Sequence, residues 1–409
     1  MTCRSINQME LLPEIEGMEI NASDRFAKLG SYAFAEVDAL VTTLKSQGIA
    51  PIDFGVGDPT VPTPPFIRRA GKRALDARAS SGYPSYIGDP GFREAAARWL
   101  EKRFSVKLDP QTEISSTIGS KEAVFNFPEA ILNPGDYVII PTPGYPPYKT
   151  GTVFAEGIPY FVPLLPENDF LPDLKSVPHN VANRAKIIWV NYPNSPTGKV
   201  ATDAFYRKLI EFAQKYGTMI ASDEAYSELY FEKTPRSLLE FGLDGMIAFF
   251  SMSKRSAMTG WRVGWVAGDR RIVAMFRKIK THIDSGTPTF IQDAAAEALG
   301  DERHVARMRN DYKKKRNIIV RALVDAGLPD CSPEATIYIW QKVPQGVTSV
   351  EFAKKLLQKD IAIVTTPGEW ISETTETGLN PGRDYVRFAL VPSMEQTRLA
   401  AEKLRSLRF

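Results

Sequence analysis

Short apolar segments recur through the middle of the chain, each followed by a polar, proline- or glycine-rich stretch. Tyr137–Ile140, Tyr160–Leu164, Ile187–Asn191, Met219–Ser222, Ile247–Ser251 and Val263–Ala267 have the length and the branched or aromatic content of buried strands. Helix-spaced apolar residues lie between several of them; from Thr202 to Tyr216, for example, Phe205, Leu209, Phe212 and Ala213 mark one face. This alternation predicts a mostly parallel sheet covered by helices. Such sheets bind ligands beyond the carboxyl ends of their strands. The loops Pro141–Tyr148, Asn191–Gly198, Asp223–Tyr226 and Ser251–Arg262 each follow one of these strands, and chemistry is expected there.

The flanking regions read differently. Ala33 to Gln47 carries Phe34, Val37, Leu40, Val41 and Leu44 at helical spacing and stops at Gly48. Ile52–Pro59 is a short extended segment that breaks into a loop. Its Gly55-Val56-Gly57 is followed by prolines and not by a third glycine and a helix, which argues against a dinucleotide fingerprint and leaves close backbone approach to a ligand as the use of the glycines. Tyr83–Gly88 forms an aromatic loop ahead of a helix over Gly91–Phe104, and Gly119-Ser120 opens a helix expected to run to about Leu132. A long helical region is expected from about Asp293 to Ala326. Shorter strands (Thr336–Gln341, Ile361–Thr365, Tyr385–Leu390) and helices (Ser349–Gln358, Met394–Leu407) follow it. The expected division is an N-terminal arm and part of a smaller domain in residues 1–55, a large domain in 56–295, and the rest of a smaller α+β domain in 296–409.

Composition narrows the function. Fifty-one basic against 48 acidic residues give a net charge of +3, without the basic excess of a nucleic-acid binder. Lys313–Arg316, the dense basic cluster, lies on an amphipathic helix and reads as a solvated face. Cys3 and Cys331 are too few for a disulfide framework or a cysteine zinc site, which fits a cytoplasmic location. No apolar run approaches membrane-spanning length, and no signal pattern opens the chain. His179, His282 and His304 sit in no nucleophile or metal-ligand pattern, which disfavours a Ser-His-Asp hydrolase or a histidine zinc enzyme.

The chemistry is concentrated in Ser251-Met252-Ser253-Lys254 and Thr259-Gly260-Trp261-Arg262. A lysine amine is nucleophilic only when neutral, and burial or a neighbouring cation makes it so. Ser251, Ser253 and Arg262 are phosphate-holding residue types. An imine-forming lysine beside a phosphate clamp points to pyridoxal 5′-phosphate (PLP). Asp223, at the end of a buried strand, needs a cationic partner, and a protonated pyridine would be one. Tyr145 follows another strand and has a face to stack on a flat ring. Gly119 and Ser120 offer a helix N-terminus to an anion.

Taken together, Ser-x-Ser-Lys, Thr-Gly-Trp-Arg, Pro196-Thr197-Gly198 and Asp223-x-x-Tyr226 resemble the fold-type I PLP enzymes, specifically the class I/II aminotransferases, over nearly the whole chain. The resemblance implies a mostly parallel mixed sheet in a large domain beside a smaller α+β domain. It implies that Lys254 is the catalytic lysine, holding PLP and moving the proton at the substrate Cα, and that Asp223 pairs with the ring nitrogen. Tyr226 with Asn194 or Ser195 would contact the ring hydroxyl, and Tyr145 would stack. Gly119, Ser120, Ser251, Ser253 and Arg262 would bind the phosphate. Tyr83 would reach the phosphate of a neighbouring subunit, implying a homodimer with shared active sites, and Arg387 opposite Gly57 would grip the substrate α-carboxylate.

Several stretches look like LL-diaminopimelate aminotransferase: Ile118–Glu122, Asn133–Asp136, Pro143–Tyr148, Glu167–Leu174 and Ile283–Gly286. That likeness adds Lys121, which also counts among the cofactor-binding residues, and Tyr32 as substrate contacts; a cation suits the distal carboxylate that diaminopimelate and glutamate both carry. It implies transamination between LL-2,6-diaminopimelate/tetrahydrodipicolinate and glutamate/2-oxoglutarate, in lysine biosynthesis. The alternatives are another amino donor (aspartate, alanine or aromatic) or a PLP-dependent carbon–sulfur lyase. Ser195 stands where the family usually has asparagine, Ala257 where the diaminopimelate enzymes tend to have it, and Arg255 and Ser256 also depart from the pattern.

Overall fold

The structure, a computed structural model, describes residues 21–27, 35–59 and 61–407, without the side chains of 35 and 36. Residues 1–32 and 33–409 form separate units. The described part of the first contains one helical turn, Asp24–Ala27. Tyr32 and Cys3 lie outside the described residues.

The strands of the second unit are β1 (Ile52–Asp53), β2 (Ile114–Thr117), β3 (Tyr137–Thr142), β4 (Ile158–Pro163), β5 (Ala185–Asn191), β6 (Met219–Asp223), β7 (Met246–Ser251), β8 (Gly264–Gly268), β9 (Tyr338–Lys342), β10 (Ile363–Val364), β11 (Thr366–Pro367) and β12 (Tyr385–Ala389). A seven-stranded sheet has the order β2-β8-β7-β6-β5-β3-β4. The pairs from β4 through β7 are parallel, and β8 runs antiparallel to both β7 and β2. The expected mixed, mostly parallel sheet is therefore present. Both faces are apolar. On β5, Ile188 and Val190 join one core while Ile187 and Trp189 join the other, and on β7 Ala248 and Phe250 alternate with Ile247 and Phe249 in the same way. Burial on two faces is why these strands read as continuous apolar runs.

A further core gathers Ile52 and Phe54, the helix Arg303–Asp325, β9, β12 and the helix Met394–Arg405. Here β11, β12 and β9 make an antiparallel three-stranded sheet, and β1 pairs in parallel with β10. The N-terminal β1 thus brings Gly55 and Gly57 beside elements from the far end of the chain.

Three helices of nine or more residues lie outside the expected elements. Pro65–Ala77 buries Ile67, Ala70, Gly71 and Ala74 at helical spacing, and Gly71 is packed against the Trp261 ring. Pro146–Phe154 and Arg270–Lys280 are the others. The expected helix after Gly119 stops at Asn126 and tightens into a 3₁₀ turn at Phe127–Ala130, where Pro128 removes a backbone donor. The long region after residue 288 is two helices, Thr289–Leu299 and Arg303–Asp325, parted at Gly300.

Candidate active site

The strand ends converge as the alternation predicts. β6 delivers Asp223, 4% exposed. Its Oδ2 accepts from the Tyr148 hydroxyl at 2.8 Å and its Oδ1 from the Ala225 N–H at 3.1 Å. The neighbouring strand end fixes the same backbone, because Asn191 Nδ2 donates to the Asp223 carbonyl at 2.7 Å. Tyr148 is fully buried and stacks on Trp189 at 4.6 Å, so the phenol that holds Asp223 is itself locked by packing. Burial raises the Asp223 carboxyl above the usual range, partly offset by these two donors. No cation pairs with it among the described residues.

β7 ends at Ser251, whose Oγ accepts from the Ser253 N–H at 3.2 Å and starts the turn Met252–Arg255. That turn aims Lys254 inward. Its Nζ donates to the Gly57 carbonyl at 2.7 Å and lies 6.0 Å from the centre of the Tyr226 ring. Burial lowers the pKa of this amine. Arg387 and Arg262 lower it further, while Tyr338 and Asp58 act in the opposite sense. Both causes named for an imine-forming lysine are thus present.

An anion cradle lies beside it. Gly119 opens the helix Gly119–Asn126 with φ +71°, and a Cβ there would run into the Arg262 guanidinium. Only glycine lets the two approach. Arg262 Nη1 donates to the Thr259 carbonyl at 2.9 Å and reaches Ser253 Oγ at 3.5 Å, and Nη2 donates to the Ile118 carbonyl at 3.4 Å. No carboxylate pairs with Arg262 among the described residues. Ser120 follows Gly119 half-buried, and Lys121 is exposed in the same turn. Beneath the turn, Glu122 accepts from the Ile118 N–H at 3.1 Å and from fully buried Lys280, 3.2 Å away, which also binds Asp284 at 2.7 Å. This buried triad joins two segments, Ile118–Glu122 and Ile283–Gly286, that the sequence singles out separately.

Arg387 projects from β12 with Nη2 donating to the Gly55 carbonyl at 2.9 Å and to Thr366 Oγ1 at 3.2 Å. Its Nε is buried without a partner, and no carboxylate faces it among the described residues. Tyr226 shares a hydrogen bond with Tyr338 at 3.1 Å. Tyr145, half-buried, meets Tyr148 edge-on at 5.8 Å; burial and the Asp223 charge raise its phenol pKa. Asn194 is turned into its own loop, where Oδ1 accepts from the Thr197 N–H and hydroxyl at 3.1 and 2.7 Å. Ser195 stays half-buried, its N–H donating to Asn191 Oδ1 at 2.8 Å. Tyr83 is 92% exposed. Tyr148, Asn191 and Tyr338 were not among the expected residues. Asn191 could have been found as the polar residue that ends an apolar strand, whereas Tyr148 and Tyr338 read as core aromatics.

These groups fit PLP. A buried carboxylate without a cation suits a protonated ring nitrogen, and a glycine helix start with an unpaired arginine and two serines suits a phosphate. A lysine with a lowered pKa lies beside them. Fold and site together define a PLP-dependent enzyme of fold type I.

The family model for aminotransferase class I and II matches residues 50–404. The chain belongs to this family and is an aminotransferase that uses PLP. It is 45% identical to an LL-diaminopimelate aminotransferase of Aquifex aeolicus, over 95% of this chain and 99% of that one. An LL-diaminopimelate aminotransferase of Syntrophobacter fumaroxidans is 41% identical with the same coverage. Among solved structures, an aminotransferase from Neisseria meningitidis superposes with TM-score 0.87 at 33% identity, covering 94% of this chain and 99% of that one. A mutant aspartate aminotransferase of Thermus thermophilus gives 0.86 at 28% identity, covering 95% and 100%. Among the described residues, no helix is long and apolar enough to cross a membrane.

Proposed function

We propose that the protein transfers an amino group between LL-2,6-diaminopimelate/tetrahydrodipicolinate and glutamate/2-oxoglutarate, in lysine biosynthesis. The observation that carries this reading is Arg387, a half-buried cation without a carboxylate partner, set across from Lys254 and Gly57. An arginine fork in that position holds an α-carboxylate and thereby orients the Cα–H toward the lysine. Lys121 would meet the distal carboxylate that these substrates share, and relatives named for diaminopimelate support the choice.

When bound, PLP supplies an electron sink for the charge that develops at the substrate Cα. Lys254 would hold it and move the proton at Cα. Asp223 would keep the ring nitrogen protonated, with Tyr148 and Ala225 keeping Asp223 in place. Tyr145 would stack on the ring. Gly119, Ser120, Ser251, Ser253 and Arg262 would bind the phosphate. Tyr226 and Ser195 would face the ring hydroxyl, with Asn194 shaping the loop that carries Ser195. The exposure of Tyr83 supports a homodimer in which it completes the partner's phosphate site. The further core around β9 and β12 supports a smaller lobe that joins β1 to residues 296–407, beside a large lobe in 61–295.

The test is a panel of amino donors with 2-oxoglutarate as acceptor. Diaminopimelate should exceed aspartate, alanine and aromatic donors by at least about tenfold in kcat/KM, the equivalent of one well-placed contact. Efficient turnover of one of those donors with none of diaminopimelate overturns the substrate assignment. Release of a 2-oxo acid without any acceptor would place the reaction among the eliminations instead.

A further inference from the structure

Lys280 ends the helix Arg270–Lys280 with its side chain fully buried, and two carboxylates share its ammonium. Glu122 Oε2 accepts from it at 3.2 Å, and the two Asp284 oxygens accept at 2.9 and 2.7 Å. Each carboxylate also holds a backbone turn. Glu122 Oε2 accepts from the Ile118 N–H at 3.1 Å, one residue before Gly119. Asp284 Oδ1 accepts from the Gly286 N–H at 2.6 Å. An ammonium fixed between the two carboxylates therefore fixes two turns together.

The first turn opens the anion cradle at Gly119. The second lies against a different loop. Gly286 has φ +84°, and a Cβ there would come within 2.7 Å of the Ser85 carbonyl oxygen, so this turn rests on the backbone of the Tyr83–Gly88 loop. The same loop is tied to the strand that leads into the cradle, because the Ser116 N–H on β2 donates to the Ile87 carbonyl at 2.9 Å. The Thr287 hydroxyl, one residue beyond Gly286, donates to the Thr117 carbonyl at 2.9 Å. Just past the loop, the Asp89 N–H donates to Gln292 Oε1 at 2.7 Å. The loop is thus anchored from Ser85 onward, while the Tyr83 side chain is exposed. Lys280 is the cation that pairs with Glu122 and Asp284. Without it, two neighbouring carboxylates would repel and the turns they hold would shift.

We propose that Lys280 is a positioning residue for the cofactor phosphate, acting in two directions. Through Glu122 and Ile118 it sets the Gly119 turn of its own subunit. Through Asp284, Gly286 and Ser85 it sets the loop that presents Tyr83 to the neighbouring subunit. The role rests on the phosphate and homodimer assignments of the Proposed function. Two parts of the phosphate site that come from different subunits are thereby adjusted by the same kind of buried ammonium, one in each chain.

The experiment titrates the full-length apoenzyme with PLP and with pyridoxal, which lacks the phosphate. Lys280→Met should raise the dissociation constant for PLP about tenfold, the equivalent of one well-placed contact, and leave that for pyridoxal within about twofold. A general loosening of the fold would weaken both, so equal weakening, or none, overturns the proposal. Glu122→Ala leaves Lys280 paired with Asp284 and should weaken PLP alone by about fivefold, which decides the first direction if Lys280→Met fails to fold. Arg262→Gln is the control on the reading beneath: if it binds PLP as tightly as wild type, the phosphate assignment fails, whatever Lys280 does. Mixed dimers decide the second direction. One subunit carries Lys254→Ala, so borohydride fixes the cofactor only in the other. Gly286→Ala on the Lys254→Ala subunit should raise the PLP concentration for half-maximal fixation about threefold, and on the other subunit it should change it by less than about half as much. No effect in either place overturns the link from Lys280 to the Tyr83 loop. An effect confined to the subunit that carries Gly286→Ala, or sedimentation as a monomer, sinks the homodimer reading of Tyr83 and leaves the PLP–pyridoxal difference to decide the first direction.

Discussion

Arg255 and Asp223 are similarly buried charges, 2% and 4% exposed, yet their surroundings differ. Arg255 has an ion pair with Glu302, hydrogen bonds to the Ala298 carbonyl and the Ser256 hydroxyl at 3.0 Å, and the Trp99 ring 5.5 Å away. Ser256 continues the network to His304 Nε2 at 2.9 Å, and His304 reaches Asp301 at 3.4 Å. Asp223 has two neutral donors and no cation. Arg262 and Arg387 likewise face no carboxylate among the described residues. Within one loop, then, Arg255 is anchored by the protein while its neighbour Lys254 has only a carbonyl. Buried charge that the chain compensates belongs to the scaffold; buried charge that it leaves uncompensated is set for a ligand.

Lys254→Ala tests this contrast most severely. Transamination should fall by on the order of 10⁴-fold or more, as for removal of other covalent catalytic groups. Melting of the apoenzyme should hold or rise, because a desolvated amine is lost. Borohydride reduction should fix the cofactor to the wild-type chain and not to the variant. A large drop in apoenzyme stability would place Lys254 with the scaffold. Arg255→Ala should behave in the opposite way. Removing one member of a buried pair strands the other, and a loss of about 3 kcal/mol in unfolding free energy is expected from denaturant titration. If Arg255→Ala is neutral for stability, the contrast fails at its other end.

Asp223→Asn sharpens the same point through pH. Burial holds the folded carboxyl above the ordinary range, against two donors that pull it down. The folded protein therefore keeps its proton to a higher pH than the unfolded chain does. Stability is lost as pH rises through that interval. Asparagine removes the charge, and the Tyr148 hydroxyl is free to turn and accept from the new amide. The apoenzyme of this variant should melt a few degrees above wild type near neutral pH, with the gap closing toward acid, as its cofactor affinity falls. A lower melting point at neutral pH would show that Asp223 is compensated after all.

The sequence reveals the ligand-facing charges better than their supports, for a physical reason. Lys254, Asp223 and the loops after β3, β5 and β7 are legible because strands buried on both faces are continuous apolar runs, so a polar residue at the end of one stands out. Tyr148 and Tyr338 are aromatic residues among apolar neighbours, and nothing local distinguishes a phenol that holds a carboxylate from one that fills a core. The Glu122–Lys280–Asp284 triad is hidden for another reason: Lys280 lies on a strongly charged helix, Arg270–Lys280, and only the fold shows that it is fully buried. The parallel order of the large sheet is readable from alternation. The pairing of β1 with β10, which brings Gly57 to Lys254, joins the two ends of the chain and has no local signal.

The smallest effect concerns Ala257, in the part of the loop that departs from the diaminopimelate enzymes. Its φ of +50° lies in the left-handed region, which costs an alanine about 1 kcal/mol and an asparagine less, because the short amide bonds locally to the backbone. The conformation is held by Thr63, whose hydroxyl donates to the Ala257 carbonyl at 2.6 Å. A cavity of about 260 Å³ opens beside it, lined in part by Pro62, Ser256, His304, Met308 and Tyr312, so a larger side chain has room. Asparagine at this position is thus compatible with the backbone that this chain already adopts. Ala257→Asn should stabilise the protein by about 0.5–1 kcal/mol, read as a higher denaturant midpoint at unchanged m-value. Its kcat/KM for diaminopimelate should stay within about twofold of wild type, since residue 257 lines a cavity together with Ser256 and His304, which belong to the Arg255 network. A gain in stability together with a switch in donor preference would move residue 257 across the divide, from the scaffold to the substrate-facing side.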